Sequence, residues 1–447
     1  MALTGIQIFK LLPKTNCGDC KFPTCLAFAM KLAAKQVALD ACPHVSDEAR
    51  AQLDEASAPP IRGIRFGTGD DAFKVGEESV LFRHEKTFYH MPGFAVIIED
   101  SASDDEVQKK IAQVNDSEIE RVGQHLKVDF VAVRSTSDAA RFKAVVEQIS
   151  SGSKAKLILL SEQPDNLRAA LEVAAGKRPL IGTAAAATAE AFAALAKEFK
   201  VPLAISAADL EQLSALSETV KDAGIEDIVL VPQFKNAAQM LADLTQIRRA
   251  AIQKGFKPLG YPVMLLPDQI FEDELGETMI AAVGISKYAS LILLNNIEKE
   301  KMMPLFTLRQ NIYTDPQKPM QVKQDIYAIG EPNADSPVFI TTNFSLTFFL
   351  VQGEVEASKV PAWLMVQDCE GLSVLTAWAA GKFTPGKIAE YVAESGIAEK
   401  VNHRNLVIPG YVSVISGSLG DKLSDWKIIV GPRDANQIPK LLKAGVA

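Results

Sequence analysis

The 447-residue chain reads as an α/β protein in three parts: a small helical unit at residues 1–57, a (β/α)8 TIM barrel at 58–325 and a Rossmann-like domain at 326–447. Three observations predict this. Four of the five cysteines fall between Thr15 and Pro43. Eight short apolar runs then recur with helical segments between them. After a polar, proline-bearing stretch, a shorter strand–helix alternation runs to the end.

The cysteines come first. They stand at Cys17, Cys20, Cys25 and Cys42, in "CGDCKFPTC" and the later "ACP". No charged-then-apolar leader opens the chain, so a secreted disulfide framework is not expected. Structural zinc usually takes two short chelate pairs, and only one C-x2-C is present. Three thiolates in one irregular loop plus a fourth delivered from elsewhere suit a [4Fe–4S] cubane; zinc and free thiols are the alternatives. Gly18 and Pro23 keep the loop out of helix. The run "LAFAMKLAAKQVALDA" is Ala- and Leu-rich and reads as the helix that spans the gap to Cys42. "GIQIFKLLPKT" reads as a second short helix ending near Pro13. A unit this small gains part of its folding energy from the metal.

The composition is that of an ordinary globular protein, 48% hydrophobic and 23% charged, with a net charge of -8. The acidic balance argues against a nucleic-acid partner, and no apolar run is long and clean enough to span a bilayer. The expected location is the cytosol. Pro59 and Pro60 close a linker that begins near Ala51. "GTGDDA" lacks the flanking strand and helix of a dinucleotide loop and reads as a structural turn. "SVLFRHEKTFYH", at 79–90, alternates and reads as a strand or hairpin.

The eight apolar runs begin at Phe94, Phe130, Lys156, Pro179, Pro202, Asp227, Pro262 and Ser290. They are continuous rather than alternating, as strands buried on both faces should be. Helical segments such as "DDEVQKKIAQV" and "NLRAALEVAA" separate them, which predicts the barrel, with a doubly wound open sheet as the alternative. Strand-end residues include Glu99, Asp100, Arg134, Ser135, Ser161, Glu162, Asn295 and Asn296. No paired carboxylates or metal-spaced histidines occur among them, so a docking scaffold is favoured over a ligand cavity, and no catalytic side chain is assigned.

Thr314 to Pro337 reads as a second linker. Beyond it, "PVFITTN", "AWLMVQD", "NLVIPGYVSVI" and "WKIIVGP" read as parallel strands with helices between. Such a sheet binds ligands beyond its strand carboxyl ends, which here are Thr341–Thr342, Asp368–Ser373, Ser413–Gly417 and Gly431–Arg433. Ordinary βα turn chemistry is the plainer alternative.

Together the three parts resemble the large (gamma) subunit of the corrinoid/iron–sulfur protein of the acetyl-CoA decarbonylase/synthase system, the reductive acetyl-CoA route. The resemblance covers the whole chain, and "CGDCKFPTC" with "ACP" is its most specific part. It implies a [4Fe–4S] cluster on Cys17, Cys20, Cys25 and Cys42, and a corrinoid (a cobamide) in the C-terminal domain. The corrinoid contacts expected at the strand ends are Thr341, Thr342, Leu346, Glu370, Gly371, Leu372, Ser373, Val374, Gly431 and Arg433. Methionine-synthase-like cobalamin domains carry D-x-H-x-x-G, whereas this chain has "DCEGLS" at Asp368 to Ser373 and no D-x-H at all. The cobamide is therefore expected base-off with no protein histidine ligand, which makes reduction to cob(I) easier. The implied role is a methyl carrier. Cob(I)amide takes a methyl group from methyltetrahydrofolate on a separate methyltransferase and donates it to acetyl-CoA synthase/CO dehydrogenase, while the cluster re-reduces Co(II). The implied partner is a small subunit that is itself a barrel, forming a heterodimer. A self-contained pterin-dependent methyltransferase and an iron–sulfur electron-transfer subunit are the alternatives.

Overall fold

The computed structural model describes residues 4–33, 36–46, 48–50, 53, 59–121, 124–271, 273–315 and 319–445. Of the linker expected from Ala51 to Pro60, residues 51, 52 and 54–58 lie outside the described residues. The chain divides into two compact units, Met1–Glu118 with Lys127–Tyr313, and Ile119–Leu126 with Thr314–Ala447.

In the first unit, two helices open the chain, α1 (Gly5–Leu11) and α2 (Cys25–Ala33). Thr4 caps α1 through a reciprocal box with Gln7, which satisfies two otherwise orphaned amides. The helix expected to run to Cys42 is shorter: it is α-helical only to Ala33, and a 3-10 turn at Leu39–Ala41 leads into Cys42. Ile8, Leu12, Phe28, Ala29, Val45 and Leu53 form a core of their own around Cys25 and Cys42.

Ten strands follow in this unit. A hairpin, β1 (Ile64–Phe66) and β2 (Phe73–Val75), turns through "GTGDDA", where Gly67 and Gly69 take positive φ. The eight apolar runs all become strands; because the hairpin 119–126 supplies β4 and β5, they are β3 (Gly93–Glu99), β6 (Phe130–Arg134), β7 (Lys156–Leu160), β8 (Leu180–Ala184), β9 (Leu203–Ala207), β10 (Ile228–Pro232), β11 (Met264–Leu265) and β12 (Leu291–Leu294). They pair in parallel in the order β10-β9-β8-β7-β6-β3-β12-β11, and a parallel bridge between Leu230 and Val263 joins β10 to β11. Each strand pairs with the next in the chain all the way round, which a doubly wound open sheet does not do. The interior is packed rather than hollow: Ala95, Ile97, Phe130, Ala132, Ile158, Leu180, Val229, Met264 and Leu291 meet Ile64, Phe66 and Val75 from the β1–β2 hairpin. Phe130 stands edge-on to both Phe66 and Phe73, with centroids 5.5 and 5.0 Å apart.

Residues 79–90 are not the strand or hairpin expected. Side chains there take over the bonds a ladder would make: the Glu85 carboxylate accepts from the amides of Leu81 and Phe82, and the Val80 carbonyl accepts from the buried Arg248 guanidinium. The alternation of "SVLFRHEKTF" leaves Leu81 and Phe88 buried without sheet pairing.

The second unit is a five-stranded sheet in the order β13-β15-β14-β16-β17, formed by β13 (Asp325–Ile329), β14 (Val338–Thr342), β15 (Ala362–Gln367), β16 (Asn405–Ile408) and β17 (Lys427–Val430). β14 to β17 are parallel, and β13 is an antiparallel edge strand that the sequence placed inside a linker. The hairpin β4 (Ile119–Arg121) with β5 (Gln124–Leu126) also belongs to this unit. The third expected strand is shorter than "NLVIPGYVSVI": β16 stops at Ile408, Pro409 cannot extend the ladder, and Gly410–Ile415 forms 3-10 turns. Both faces of the sheet are covered. Val338, Ile340 and Met365 point to one core with Phe383, Ile388 and Leu419; Phe339, Leu364 and Val366 point to another with Phe348, Val355 and Leu442.

Phe130→Ala should remove the aromatic contact between barrel floor and hairpin and cost about 3–5 kcal/mol. Denaturant unfolding of the barrel measures it; a loss below about 1 kcal/mol would show that the hairpin does not plug the barrel.

Candidate functional site

The cysteine loop is wound by residues in left-handed backbone conformation: Lys14, Asn16, Gly18 and Lys21 have φ of 60°, 51°, 82° and 65°. Alternation of this kind turns successive N–H groups into a concavity that suits an anionic group. Asn16 accepts from the Cys25 amide at 2.8 Å, tying the start of the loop to the start of α2. Cys17 is exposed, Cys20 is half-buried, and Cys25 and Cys42 are buried. Cys20, Cys25 and Cys42 share the small core with Ile8 and Phe28, and this packing brings the sequence-distant fourth ligand to the others. Among the described residues, the one group of three or more potential metal-ligating side chains that converges within 4.8 Å is Cys17, Asp19 and His44. His44 and Asp19 meet at 2.6 Å, and this hydrogen bond, with one from Cys17, holds the Asp19 carboxyl below its usual range.

At the barrel's strand ends, the expected residues are mostly spent on structure. Asp100 is fully buried, and its carboxylate accepts from the Thr136 amide and hydroxyl and the Ser137 amide. Arg134 pairs with Asp268 at 2.8 Å and lies 3.8 Å from Glu99. Ser135 accepts from Asn166, and the Ser161 hydroxyl accepts from the Gln163 amide. The Asn295 amide donates to Glu277, which is paired with buried Lys301, while Glu162 and Asn295 are exposed and Asn296 is half-buried.

The carboxyl edge of the second sheet differs. Thr341 and Thr342, the last residues of β14, and Ser345 just beyond are 1%, 0% and 4% exposed, yet their hydroxyls have no hydrogen-bond partner. The Gln367 carbonyl oxygen, directly across on β15, is also unpartnered. A buried polar group left alone costs about 1–3 kcal/mol; by strand alternation Thr342 and Gln367 lie on the Ile340 and Met365 side of the sheet and Thr341 on the Phe339 side. Around them the surface is apolar. Leu346, Phe349 and Leu350 follow β14, Leu375 and Trp378 follow β15, Tyr411 and Val414 follow β16, and Val430 ends β17; all are exposed.

The expected residues divide by strand. Thr341, Thr342 and Leu346 on β14 and its helix lie beside Glu370, Gly371, Leu372, Ser373 and Val374 after β15, because β14 and β15 are neighbours. Gly431 and exposed Arg433 follow β17, the far edge of the sheet. Glu370 adopts left-handed φ and pairs with Lys382 at 2.6 Å. Ser373 precedes the helix Val374–Ala379 and shares a hydrogen bond with Thr376 at 3.0 Å. Gly371 has φ +73°, and a Cβ there would meet the Pro319 carbonyl and the Gln321 side chain at 3.0 Å. Its need for glycine thus comes from the chain behind it, so a Gly371→Leu change would distort the turn as well as any ligand face. At β16 and β17, a Cβ on Gly410 would strike the Gly431 carbonyl at 2.5 Å, which explains that glycine by backbone approach. Ser345, Asn343 and Gln367 are missed by sequence reasoning; the one signal was the polar run "TTNFS" at a strand end, where apolar burial is the norm. Cys369 is buried, and burial, with the Asp368 charge beside it, pushes its thiol up to about 12.

The chain resembles known proteins over its full length. A model for the CO dehydrogenase/acetyl-CoA synthase delta subunit family matches residues 63–442, and an Fe–S cluster model matches 12–44. The corrinoid/iron–sulfur protein large subunit of Moorella thermoacetica is 44% identical over 100% of both chains. The acetyl-CoA decarbonylase/synthase complex subunit gamma of Archaeoglobus fulgidus is 38% identical over 97% of this chain and 96% of that one; that of Methanocaldococcus jannaschii is 33% identical over 99% and 96%. The delta name covers only the part after the cysteine segment. The full-length relatives, which include it, are large or gamma subunits.

Alkylation with iodoacetamide at pH 8 should label Cys17 in metal-free protein and spare Cys369. The raised Cys369 pKa keeps its proton on in the native state, so its contribution to stability is complete below 9.0 and is lost as pH rises from there to about 12. Peptide mass mapping reads the labelling; Cys369 reacting as fast as Cys17 would contradict the buried, neutral thiol.

Proposed function

The chain belongs to the family of corrinoid/iron–sulfur protein large subunits, the gamma subunits of acetyl-CoA decarbonylase/synthase, and from that premise we propose that it is a corrinoid methyl carrier. The observation that carries the reading is the set of buried, unpartnered groups at the carboxyl edge of β14, Thr342 and Gln367 on one face of the sheet, Thr341 on the other and Ser345 just beyond, beneath an apolar rim. A corrinoid offers what both features lack: amide side chains to pair with hydroxyls, and a broad apolar macrocycle to cover Leu346, Leu372 and Val374. In this reading the second unit is a Rossmann-like corrinoid domain, and the crevice lies where the strand order reverses, between β14 and β16.

When bound, the corrinoid supplies a low-valent cobalt that takes up and gives away a methyl group, and the cluster supplies a low-potential electron. The protein's own residues bind, orient and shield. Cys17, Cys20, Cys25 and Cys42 hold the [4Fe–4S] cluster. Thr341, Thr342, Ser345 and Ser373 hold corrin amides. Arg433, exposed and with no ion pair among the described residues, suits the phosphate of the nucleotide tail. Gly371 and Gly431 keep the neighbouring turns tight. Neither histidine of the second unit stands in the 368–373 turn: His125 lies on β5, and His403 lies at the amino end of β16, where Nε2 bonds the Ser336 carbonyl and Nδ1 accepts from the Asn405 amide. This supports a base-off cobamide, with reduction favoured by the missing nitrogen donor.

The exposed rim also suits coverage by partners: a small barrel subunit, then the methyltetrahydrofolate methyltransferase and the acetyl-CoA synthase in turn. The barrel of this chain acts as a scaffold in the proposal, since its strand-end carboxylates and amides are largely engaged by its own side chains and backbone. No described helix is long and apolar enough to cross a membrane.

The test is to count iron and cobalt in anaerobically purified protein. Cys17→Ala and Cys42→Ala should lose iron and keep cobalt, because thiols and hydroxyls lie in different units. Thr342→Val should keep iron and lower cobalt loading several-fold. Joint loss of both metals in the cysteine variants, or full cobalt in Thr342→Val, would defeat this assignment of residues.

A further inference from the structure

Among the unsatisfied hydroxyls at the end of β14, one side chain is satisfied completely. Asn343 is 2% exposed and makes four hydrogen bonds. Its carbonyl oxygen accepts from the Cys369 amide at 2.9 Å and the Gly371 amide at 3.0 Å. Its amide nitrogen donates to the Gln321 side chain at 3.0 Å and to the Asp368 carboxylate at 2.9 Å. The orientation is forced: two backbone N–H groups face one end and need an acceptor, and two oxygens face the other and need a donor.

The three segments so joined are distant in sequence. One is the strand end itself. The second is the turn 368–371 after β15. The third is the extended stretch 319–324, and it is bound independently of Asn343 as well. Gln321 bridges to Phe344, the Ser345 amide donates to the Met320 carbonyl at 3.0 Å, and the Asp368 amide donates to Gln324 at 2.7 Å. A Cβ on Gly371 would lie 3.0 Å from both the Pro319 carbonyl and the Gln321 side chain, so the stretch would have to shift to admit it.

We propose that Asn343 is a positioning residue that locks the turn 368–371 against the strap 319–324, so that the ligand-facing turn is already formed before any corrinoid arrives. This rests on the corrinoid reading for the identity of the ligand, though not for the locking. A flexible turn would have to be ordered at the moment of binding, at a cost in affinity; a turn held by four bonds avoids that cost. It also keeps backbone, rather than a mobile side chain, under the ligand, and it leaves the neighbouring hydroxyls as the free partners.

The experiment uses the full-length chain prepared without corrinoid. Hydrogen–deuterium exchange resolved to the Cys369 and Gly371 amides is followed before and after addition of hydroxocobalamin. Visible titration with hydroxocobalamin is run on wild type, Asn343→Ala and Gln321→Ala. The expected result is slow exchange at both amides in corrinoid-free wild type, little changed by binding. Asn343→Ala should exchange fast there and bind at least ~10-fold more weakly, with iron content unchanged; Gln321→Ala, which loses one bond at the exposed end, should show a smaller shift of the same sign. Free exchange in corrinoid-free wild type that becomes protected only on binding would overturn the proposal, as would wild-type affinity in Asn343→Ala. If Asn343→Ala fails to fold, wild-type exchange and Gln321→Ala still decide. A wild type that binds no hydroxocobalamin would refute the functional reading instead, and the exchange rates would still judge the locking.

Discussion

Asn343 closes four hydrogen bonds at 2.9–3.0 Å, while the Thr342 hydroxyl beside it closes none. Both side chains are buried at the same strand end, so the same desolvation cost applies to both. The rest of the second unit follows from how that cost is met. Asn343 recruits the 368–371 turn and the 319–324 stretch, and the turn then sets where the helix Val374–Ala379 begins. That helix, with the 3-10 turns after β16, puts Leu375, Trp378, Tyr411 and Val414 at the sheet's edge. Pairing some polar groups and leaving others open is what distinguishes a site from a well-packed corner.

The barrel engages more of its polar groups. Asp100 is held by Thr136 and Ser137, and Asp268 by Arg134, although one oxygen each of Asp268 and Asn296 is unpartnered; the interior is apolar from Phe66 through Leu293. Buried charges occur as pairs, Glu277 with Lys301, Glu78 with Arg248 and Asp129 with Arg309. Such pairs add little net stability, because desolvation offsets their attraction, but they are costly to break singly. They fix which loops and helices meet, as suits a rigid scaffold.

The cysteine segment combines a poor local fold with a good metal site. α1 and α2 are seven and nine residues long, too short to persist alone. The left-handed backbone of Lys14 and Lys21 is costly in a free chain, whereas Gly18 and Asn16 reach it readily. A bound cluster would offset both costs, which links the stability of this segment to its cofactor.

Much of this was legible in the sequence, for physical reasons. Doubly buried parallel strands are continuous apolar runs, so all eight barrel strands stood out; thiol spacing is chemistry in itself, so the iron–sulfur segment at 12–44 stood out too. The residues around Thr341 and Asp368 were approachable because a parallel sheet must present its carboxyl ends together. What needed the tertiary structure was pairing between distant segments. β13 has no recognisable pattern and is a strand only because β15 offers it an edge. Residues 79–90 alternate like a strand but find Glu85 and Arg248 as partners instead. Gly371 reads as a glycine for a ligand, yet Pro319 and Gln321 behind it decide its identity. Asn343 is one polar letter in "TTNFS"; whether its amide is spent or free depends on which backbone groups arrive beside it. Local pattern reports how a segment meets water, whereas hydrogen-bond satisfaction depends on segments far away in the chain, and only the folded arrangement brings them together.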